Sequence, residues 1–203
     1  MANLWFISDT HFRHENCWKL FKGADGLPLR PFLSTEEMDE CIIQRCNEVV
    51  RPQDHLYHLG DVSMMRPRFV ARQLNAMNGH KRLIRGNHDI FKTKEYLEFF
   101  EEIHGMRVMD NILFSHIPVH PQSLGRFAAN VHGHLHSGVV TRPAGPRIDC
   151  GVPRWPPTTA VEPDPRYVNI SVEHTDYRPL SLEEVKQRIK VALTTRGDSN
   201  ECI

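Results

Sequence analysis

The chain of 203 residues carries 25 Lys+Arg against 25 Asp+Glu, so its formal charge is zero. That length suits one sizeable core, and the neutral balance argues against a protein whose main task is coating DNA, RNA or an anionic membrane, because such binding rests on many phosphate contacts. No apolar run approaches the roughly 20 residues that span a bilayer, the start Met1-Ala2-Asn3-Leu4-Trp5 has no signal-peptide core, and Cys17, Cys41, Cys46, Cys150 and Cys202 form no C-x-x-C pair, so they read as reduced thiols of a cytoplasmic protein.

Leu4-Trp5-Phe6-Ile7 is a short apolar run ending at Ser8-Asp9, the pattern of a buried strand. His14 to Phe32 holds Gly23, Gly26, Pro28 and Pro31 and reads as an irregular insertion. A capping box, Ser34 with Glu37, opens a helix whose apolar stripe is Met38, Cys41, Ile42, Cys46 and Val49. His55 to Leu59 is the next strand, closed by Gly60-Asp61. A second helix is expected from Arg68 to Met77, a strand from Arg82 to Arg85, and a third helix from Thr93 to His104. Met106 to Met109 and Ile112 to Ser115 flank Asp110-Asn111, a two-residue hairpin signal. Asn130 to His136 is a strand candidate, Gly138 to Pro165 a Pro- and Gly-rich loop with at most short strands, and Tyr167 to Glu173 an alternating strand. A second capping box, Ser181 with Glu184, opens a last helix, and residues 194–203 look frayed. No linker splits the chain, so residues 1–193 are expected to form a single α/β (α+β) domain with two sheets packed face to face and helices outside.

Five punctuations then stand out: Asp9-Thr10-His11, Gly60-Asp61, Gly86-Asn87-His88-Asp89, Ser115-His116 and Gly133-His134-Leu135-His136. Each falls at or just past the C-terminal end of an expected strand, the edge where α/β sheets bind ligands. Asp9 and His11, like His134 and His136, are two apart, so on an extended segment each pair would point the same way. The chain's 13 His strengthen a metal reading, and carboxylate, amide and imidazole donors suit Mn, Fe, Zn or Mg. Taken singly, each motif is also ordinary turn chemistry; their ordered convergence is what carries weight.

The series D-x-H, GD, GNH, H and GHxH, running here from residue 9 to residue 136, resembles the calcineurin-like metallophosphoesterases. Asp9-Thr10-His11-Phe12-Arg13-His14 and the closing Tyr167-Val168-Asn169-Ile170 are similar to a small bacterial and phage-type branch of that family. The resemblance implies a four-layer αββα sandwich of two mixed sheets. It also implies two divalent ions, Mn2+ foremost, with Mg2+, Fe2+, Zn2+ and Ni2+ as further candidates. Asp9, His11 and His136 would hold one ion and Asn87, His116 and His134 the other, with Asp61 bridging them. A hydroxide bridging the two ions would attack a phosphate ester, and His88, facing the substrate, would protonate the leaving oxygen. With only Asp9 and Asp61 as anionic ligands, the site would stay net positive and attract a phosphate anion.

The family's acidic residue shortly after GD is missing, since Val62-Ser63-Met64-Met65 follows; Asp89 is the candidate substitute behind His88. The tyrosine ligand of the purple acid phosphatase branch is absent from the same stretch. His14 and Arg30 are candidate substrate contacts, Arg13 and Arg126 loop cations, His120 a rim candidate and His132 a group sharing the face of His134 and His136; His55 and His58 read as structural. Phosphodiesters are preferred over monoesters because no further cation within the motifs would neutralise a dianion. A phosphomonoesterase or nuclease of the same fold is the alternative, although extended nucleic acid is not expected as a partner. From another class, a non-catalytic scaffold stabilised by metal is the rival. The sequence specifies no oligomeric state.

Overall fold

A computed structural model describes residues 2–23, 25–145, 147–149, 152–154 and 159–194. Leu4–Ile7 (β1), His55–His58 (β2), His80–Ile84 (β3) and Glu102–His104 (β4) run parallel in that order, and Leu180–Ser181 (β13) pairs antiparallel on the free side of β1. A second sheet has the order Tyr167–Asn169 (β12), Ala129–His132 (β7), Ile112–Ser115 (β6) and Met106–Met109 (β5). The β5–β6 pair is the antiparallel hairpin expected from Asp110-Asn111, both with positive φ (47° and 62°), the geometry of the turn that matches strand twist.

Alternation along the first sheet explains why two apolar layers form. Ile7, Leu56 and Leu83 face one cluster with Met38, Ile42 and Cys46 of helix α2 (Thr35–Val49) and Leu74 of α3 (Ala71–Ala76). Phe6, Tyr57 and Ile84 face the other, where Phe114, Val131 and Val168 of the second sheet meet them. The two sheets are stapled by Phe6 on Phe114, stacked with centroids 4.4 Å apart. The final helix, α6 (Leu182–Thr194), adds Val185 and Ile189 to this layer, so it closes the edge of the sandwich. Its capping box is complete: Glu184 N–H donates to Ser181 Oγ, and Ser181 N–H donates to the Glu184 carboxylate. On the outer face of the second sheet the helix is a single turn, α5 (Pro121–Leu124). There the buried Asn130 accepts from Val119 N–H, and Tyr167 donates its hydroxyl to the Val119 carbonyl.

Several expectations are corrected. The helix foreseen from Thr93 to His104 is only α4 (Thr93–Tyr96); Glu101 N–H donates to the Lys81 carbonyl instead of its own helix, and residues 102–104 become β4 on the sheet edge. Residues Tyr96, Phe100 and Ile103 have helical spacing but serve two different elements against one core, a case of tertiary pairing overriding local pattern. The insertion contains a turn of helix, α1 (Asn16–Lys19). The helix expected at Arg68 starts as a 3-10 turn, Pro67–Val70. The strand expected from 130 to 136 stops at His132, and the one from 167 to 173 stops at Asn169 and gives way to a 3-10 turn, Val172–His174. In keeping with the expectation of at most short strands, the Gly- and Pro-rich loop carries two short antiparallel pairs, β8 (Thr141–Pro143) with β11 (Val161–Pro163) and β9 (Arg147–Asp149) with β10 (Val152–Arg154). Thr194 belongs to α6, its hydroxyl donating to Lys190 O; the rest of the expected frayed tail, and Cys150 and Cys202, lie outside the described residues.

Candidate metal centre

The site forms where β1, β2, β3, β6 and β7 end. Asp9 follows β1, Asp61 follows β2, Asn87 and His88 follow β3, His116 follows β6, and His134 and His136 follow β7. The extended-segment geometry expected for the Asp-x-His and His-x-His pairs is not what brings them together. Asp9, His11, Asp61, His134 and His136 all have positive φ, between 46° and 70°. Non-glycine residues pay of order 1–3 kcal/mol each for such strain, which persists where surrounding structure over-determines it.

That over-determination is visible. Asp9 N–H donates to Gly60 O and His11 N–H to Asp61 O, tying the first two loops together. The Asp9 carboxylate accepts from His134 N–H at 3.0 Å and from Ser171 Oγ at 3.0 Å. Two motif glycines permit the packing: a Cβ on Gly86 would lie 2.3 Å from Asp61 Oδ1, and one on Gly133 would lie 2.0 Å from Ser8 Oγ and 2.2 Å from Asp9 Oδ2. Only glycine allows backbones this close.

Three groups of donors result among the described residues; one is His11 with His14 and Cys17, whose thiol pKa burial pushes up to about 11, and the other two carry the carboxylates. Asp9, His11 and His136 can each offer one ligand atom within 4.8 Å of the others, and so can Asp61, His116 and His134. Asp61 reaches both. Its Oδ1 accepts from His88 N–H, while Oδ2 lies 3.3 Å from His116 Nε2, 3.6 Å from His11 Nε2 and 4.0 Å from His88 Nε2. Asn87 joins the second set through its carbonyl oxygen, 2.9 Å from His116 Nε2.

The donors are arranged as a cation would require. His116 Nδ1 faces the Leu59 carbonyl at 2.8 Å, so Nδ1 carries the hydrogen and the Nε2 lone pair points at two oxygen acceptors. Such a convergence needs a proton or a metal between its members. The proton is held tightly: burial alone would lower the His116 pKa, but the Asp61 hydrogen bond and the Asp9 charge outweigh it and raise it. His11 is 2 % exposed and neither ring nitrogen has a hydrogen-bond partner among the described residues, an arrangement that costs free energy unless something else is bound there. Burial, then the Arg30 charge, pushes its pKa well below the ordinary value, which keeps the lone pair free. Burial raises the Asp9 pKa, and Asp9 is fully enclosed. The residues present therefore fit a pair of divalent cations.

His88 stands at the mouth, its side chain 42 % exposed, with its ring edge-on to His11 at 5.7 Å. His14 is half-buried between His11 and Phe21, with Nδ1 3.4 Å from Cys17 Sγ. Two tentative roles change. Asp89 does not back the His88 ring: its carboxylate is buried and accepts backbone N–H groups of Asp61, Val62 and Gly86. Arg30 does not overhang the site: it is 0 % exposed, and its guanidinium donates to the Asp9 and Thr10 carbonyls and to Glu173. His132 is likewise not on the site face; Gly133 turns the chain, and the buried His132 ring lies beside Tyr167 with Nδ1 facing Gly133 O. His120 caps α5, accepting from Gln122 N–H. Reasoning from sequence missed Glu173 and Ser171, which belong to none of the five motifs and reach the site only because β12 lies beside β7.

The family model for calcineurin-like phosphoesterases matches residues 2–158. Uncharacterized protein MJ1445 of Methanocaldococcus jannaschii is 30% identical over 198 residues, covering 97% of this chain and 96% of the relative. The Gene 66 protein of Mycobacterium phage L5 is 33% identical over 92 residues, 44% of this chain and 41% of that protein. The crystal structure of AQ665 from Aquifex aeolicus, a protein of unknown function, superposes with a TM-score of 0.62 at 27% identity, covering 92% of this chain and 99% of that one. The chain belongs to the calcineurin-like phosphoesterase family, metal-dependent hydrolases of phosphoester bonds. No helix of the described residues is long and apolar enough to cross a membrane.

Proposed function

We propose that this chain is a two-metal phosphodiesterase acting as one catalytic domain over residues 1–193. Asp9, His11 and His136 would hold one divalent cation and Asn87, His116 and His134 the other, with the Asp61 carboxylate in reach of both sets. Mn2+ is the expected ion by resemblance to the family, and the carboxylate, amide and imidazole donors equally suit Fe2+, Zn2+ or Mg2+. The observation that carries this reading is Asp61 Oδ2, within 3.6 Å of imidazoles from both donor sets. When bound, the two cations supply Lewis acidity toward the phosphoryl oxygens and a nucleophile available near neutral pH.

The chain's own groups do the rest. Asp61 Oδ1 takes the His88 N–H, which fixes the start of the His88 side chain relative to the shared carboxylate. The His88 ring, exposed at the mouth, holds a proton on the substrate side and gives it to the departing alkoxide. His14 stands on the same side as a contact for a non-bridging phosphate oxygen. Because only two carboxylates enter the donor sets, the loaded site would be cationic and favour an anionic ester; Arg30, a candidate substrate cation, is instead buried against Glu173 and the Asp9 and Thr10 carbonyls, which favours a monoanionic diester over a dianionic monoester. Cys17, Cys41 and Cys46 are free thiols, consistent with work in the cytoplasm.

The test is hydrolysis of bis(p-nitrophenyl) phosphate and of p-nitrophenyl phosphate by chelator-stripped protein resupplied with Mn2+, Mg2+, Ni2+ or Zn2+. Metal-dependent cleavage with higher kcat/KM on the diester supports the reading. Higher kcat/KM on the monoester overturns the diester assignment, and no metal-dependent cleavage of either overturns the enzyme assignment and favours the scaffold.

A further inference from the structure

We infer that Glu173 is the positioning residue for His136, fixing its Nδ1–H so that Nε2 presents its lone pair to the cation shared with Asp9 and His11. This inference rests on the two-metal reading above. Glu173 sits in the 3-10 turn Val172–His174 that follows β12, outside every motif that defines the site. Its Oε1 lies 3.1 Å from His136 Nδ1 and 2.8 Å from Arg30 Nε, so one carboxylate oxygen serves both. An ionised carboxylate only accepts hydrogen bonds. His136 Nδ1 must therefore be the donor, and Nε2 is left as the one nitrogen that can bind metal.

Glu173 is held ionised by its surroundings. Arg30 Nε lies 2.8 Å from its Oε1 and both side chains are buried, so the carboxylate is the counter-charge of an enclosed guanidinium. Its second oxygen, Oε2, is buried without a hydrogen-bond partner among the described residues. Arg30 and His136 are thus what the buried carboxylate serves.

Arg30 extends the device to a second ligand. The same guanidinium that pairs with Glu173 donates from Nη1 to Thr10 O at 2.8 Å and from Nη2 to Asp9 O at 2.6 Å. It thereby grips the positive-φ segment that aims Asp9 and His11. One buried ion pair orients His136 through its anion and the Asp9–His11 turn through its cation. A plain structural ion pair would need Arg30 and Glu173 alone, and such pairs contribute little net stability. The third partner, a candidate metal ligand on the same carboxylate oxygen, is what marks a positioning role, since carboxylate partners of ligating histidines fix ring orientation and raise basicity.

The experiment is Mn2+ titration of chelator-stripped protein, read by the EPR signal of free Mn2+ and by calorimetry, with apo-protein Tm followed in parallel. The proteins are wild type, Glu173→Gln, Glu173→Asp, His136→Ala and the double variant His136→Ala with Glu173→Gln. Glu173→Asp keeps the charge on Arg30 while drawing the oxygen back from His136, so it answers the question even if Glu173→Gln folds poorly. The expected result is that one of the two Mn2+ equivalents weakens about 10- to 100-fold in either Glu173 variant while the other stays near wild type. On the His136→Ala background, Glu173→Gln adds a clearly smaller loss, the part that passes through Arg30 to the Asp9–His11 turn. Equal weakening of both equivalents, an unchanged titration, or an undiminished effect without His136 overturns the inference. Wild type that binds no Mn2+ overturns the two-metal reading itself, whereas two bound ions without ester hydrolysis overturns only the enzyme assignment.

Discussion

The Asp89 carboxylate closes on the Asp61 backbone. Its Oδ2 accepts the Asp61 N–H at 2.9 Å and the Gly86 N–H at 2.9 Å, while Oδ1 accepts the Val62 N–H at 3.1 Å. The residue is 1 % exposed, so Asp89→Ala would leave these N–H groups without partners in a dry place. The expected cost is about 3–5 kcal/mol of folding stability, read by urea denaturation of the apo protein. A loss below about 1 kcal/mol would show that water replaces the carboxylate and that it does not brace the two loops.

His88 should behave in the opposite way. Its ring is partly exposed at the mouth and its imidazole makes no hydrogen bond among the described residues at normal distance, the Asp61 carboxylate being 4.0 Å away. His88→Ala is expected to hold stability within about 0.5 kcal/mol and to keep metal affinity. Meanwhile kcat on a diester with a poor leaving group falls about 10²- to 10⁴-fold. Equal rates for variant and wild type on such a substrate would remove the proton-donor role.

At Gly133 a methyl group has nowhere to go, because Ser8 Oγ and Asp9 Oδ2 lie about where it would sit. Gly133→Ala should cost about 1–3 kcal/mol through overpacking. It should also displace the Asp9 carboxylate, so the Mn2+ equivalent that involves Asp9 weakens more than the other. Calorimetric titration of the variant checks this, and two unperturbed equivalents would contradict it.

His58 predicts an acid-sensitive fold. Gly60 N–H donates to Nδ1, so the neutral ring carries its hydrogen on Nε2 and gives it to Thr10 Oγ1, which donates in turn to Val62 O. Burial holds the His58 pKa at about 3, against an ordinary 6.5. The unfolded chain therefore binds a proton between these values that the folded chain refuses, and stability must fall as pH drops from about 6.5 toward 3. His58→Asn keeps an acceptor for Gly60 and cannot titrate. Its stability should decline less steeply across that window than wild type does, as measured by denaturation at stepped pH; parallel slopes would contradict the assignment.

Much of this was legible in the chain because short punctuations at strand ends carry both turn chemistry and donors. The structure gathers Asp9, His11 and His136 in one group and Asp61, His116 and His134 in another, with Asn87 beside His116. The means by which they converge was not legible. Periodicity foresees extended segments at Asp9–His11 and His134–His136, whereas left-handed turns held by cross-loop hydrogen bonds aim the side chains. Arg30 and Glu173 were misplaced or unseen for a related reason. They are 143 positions apart, and nothing local distinguishes a buried Arg in an insertion from a solvated one. The strand at 102–104 was hidden because Tyr96, Phe100 and Ile103 carry a helical spacing that tertiary pairing overrides.

The most direct test of the shared-carboxylate centre is the number of metal ions each chain holds. Wild-type protein, stripped with chelator, dialysed against Mn2+ and counted by elemental analysis, should carry two ions per chain, and Asp61→Ala should lose both. A single ion in wild type, or two ions retained by Asp61→Ala, would contradict the account.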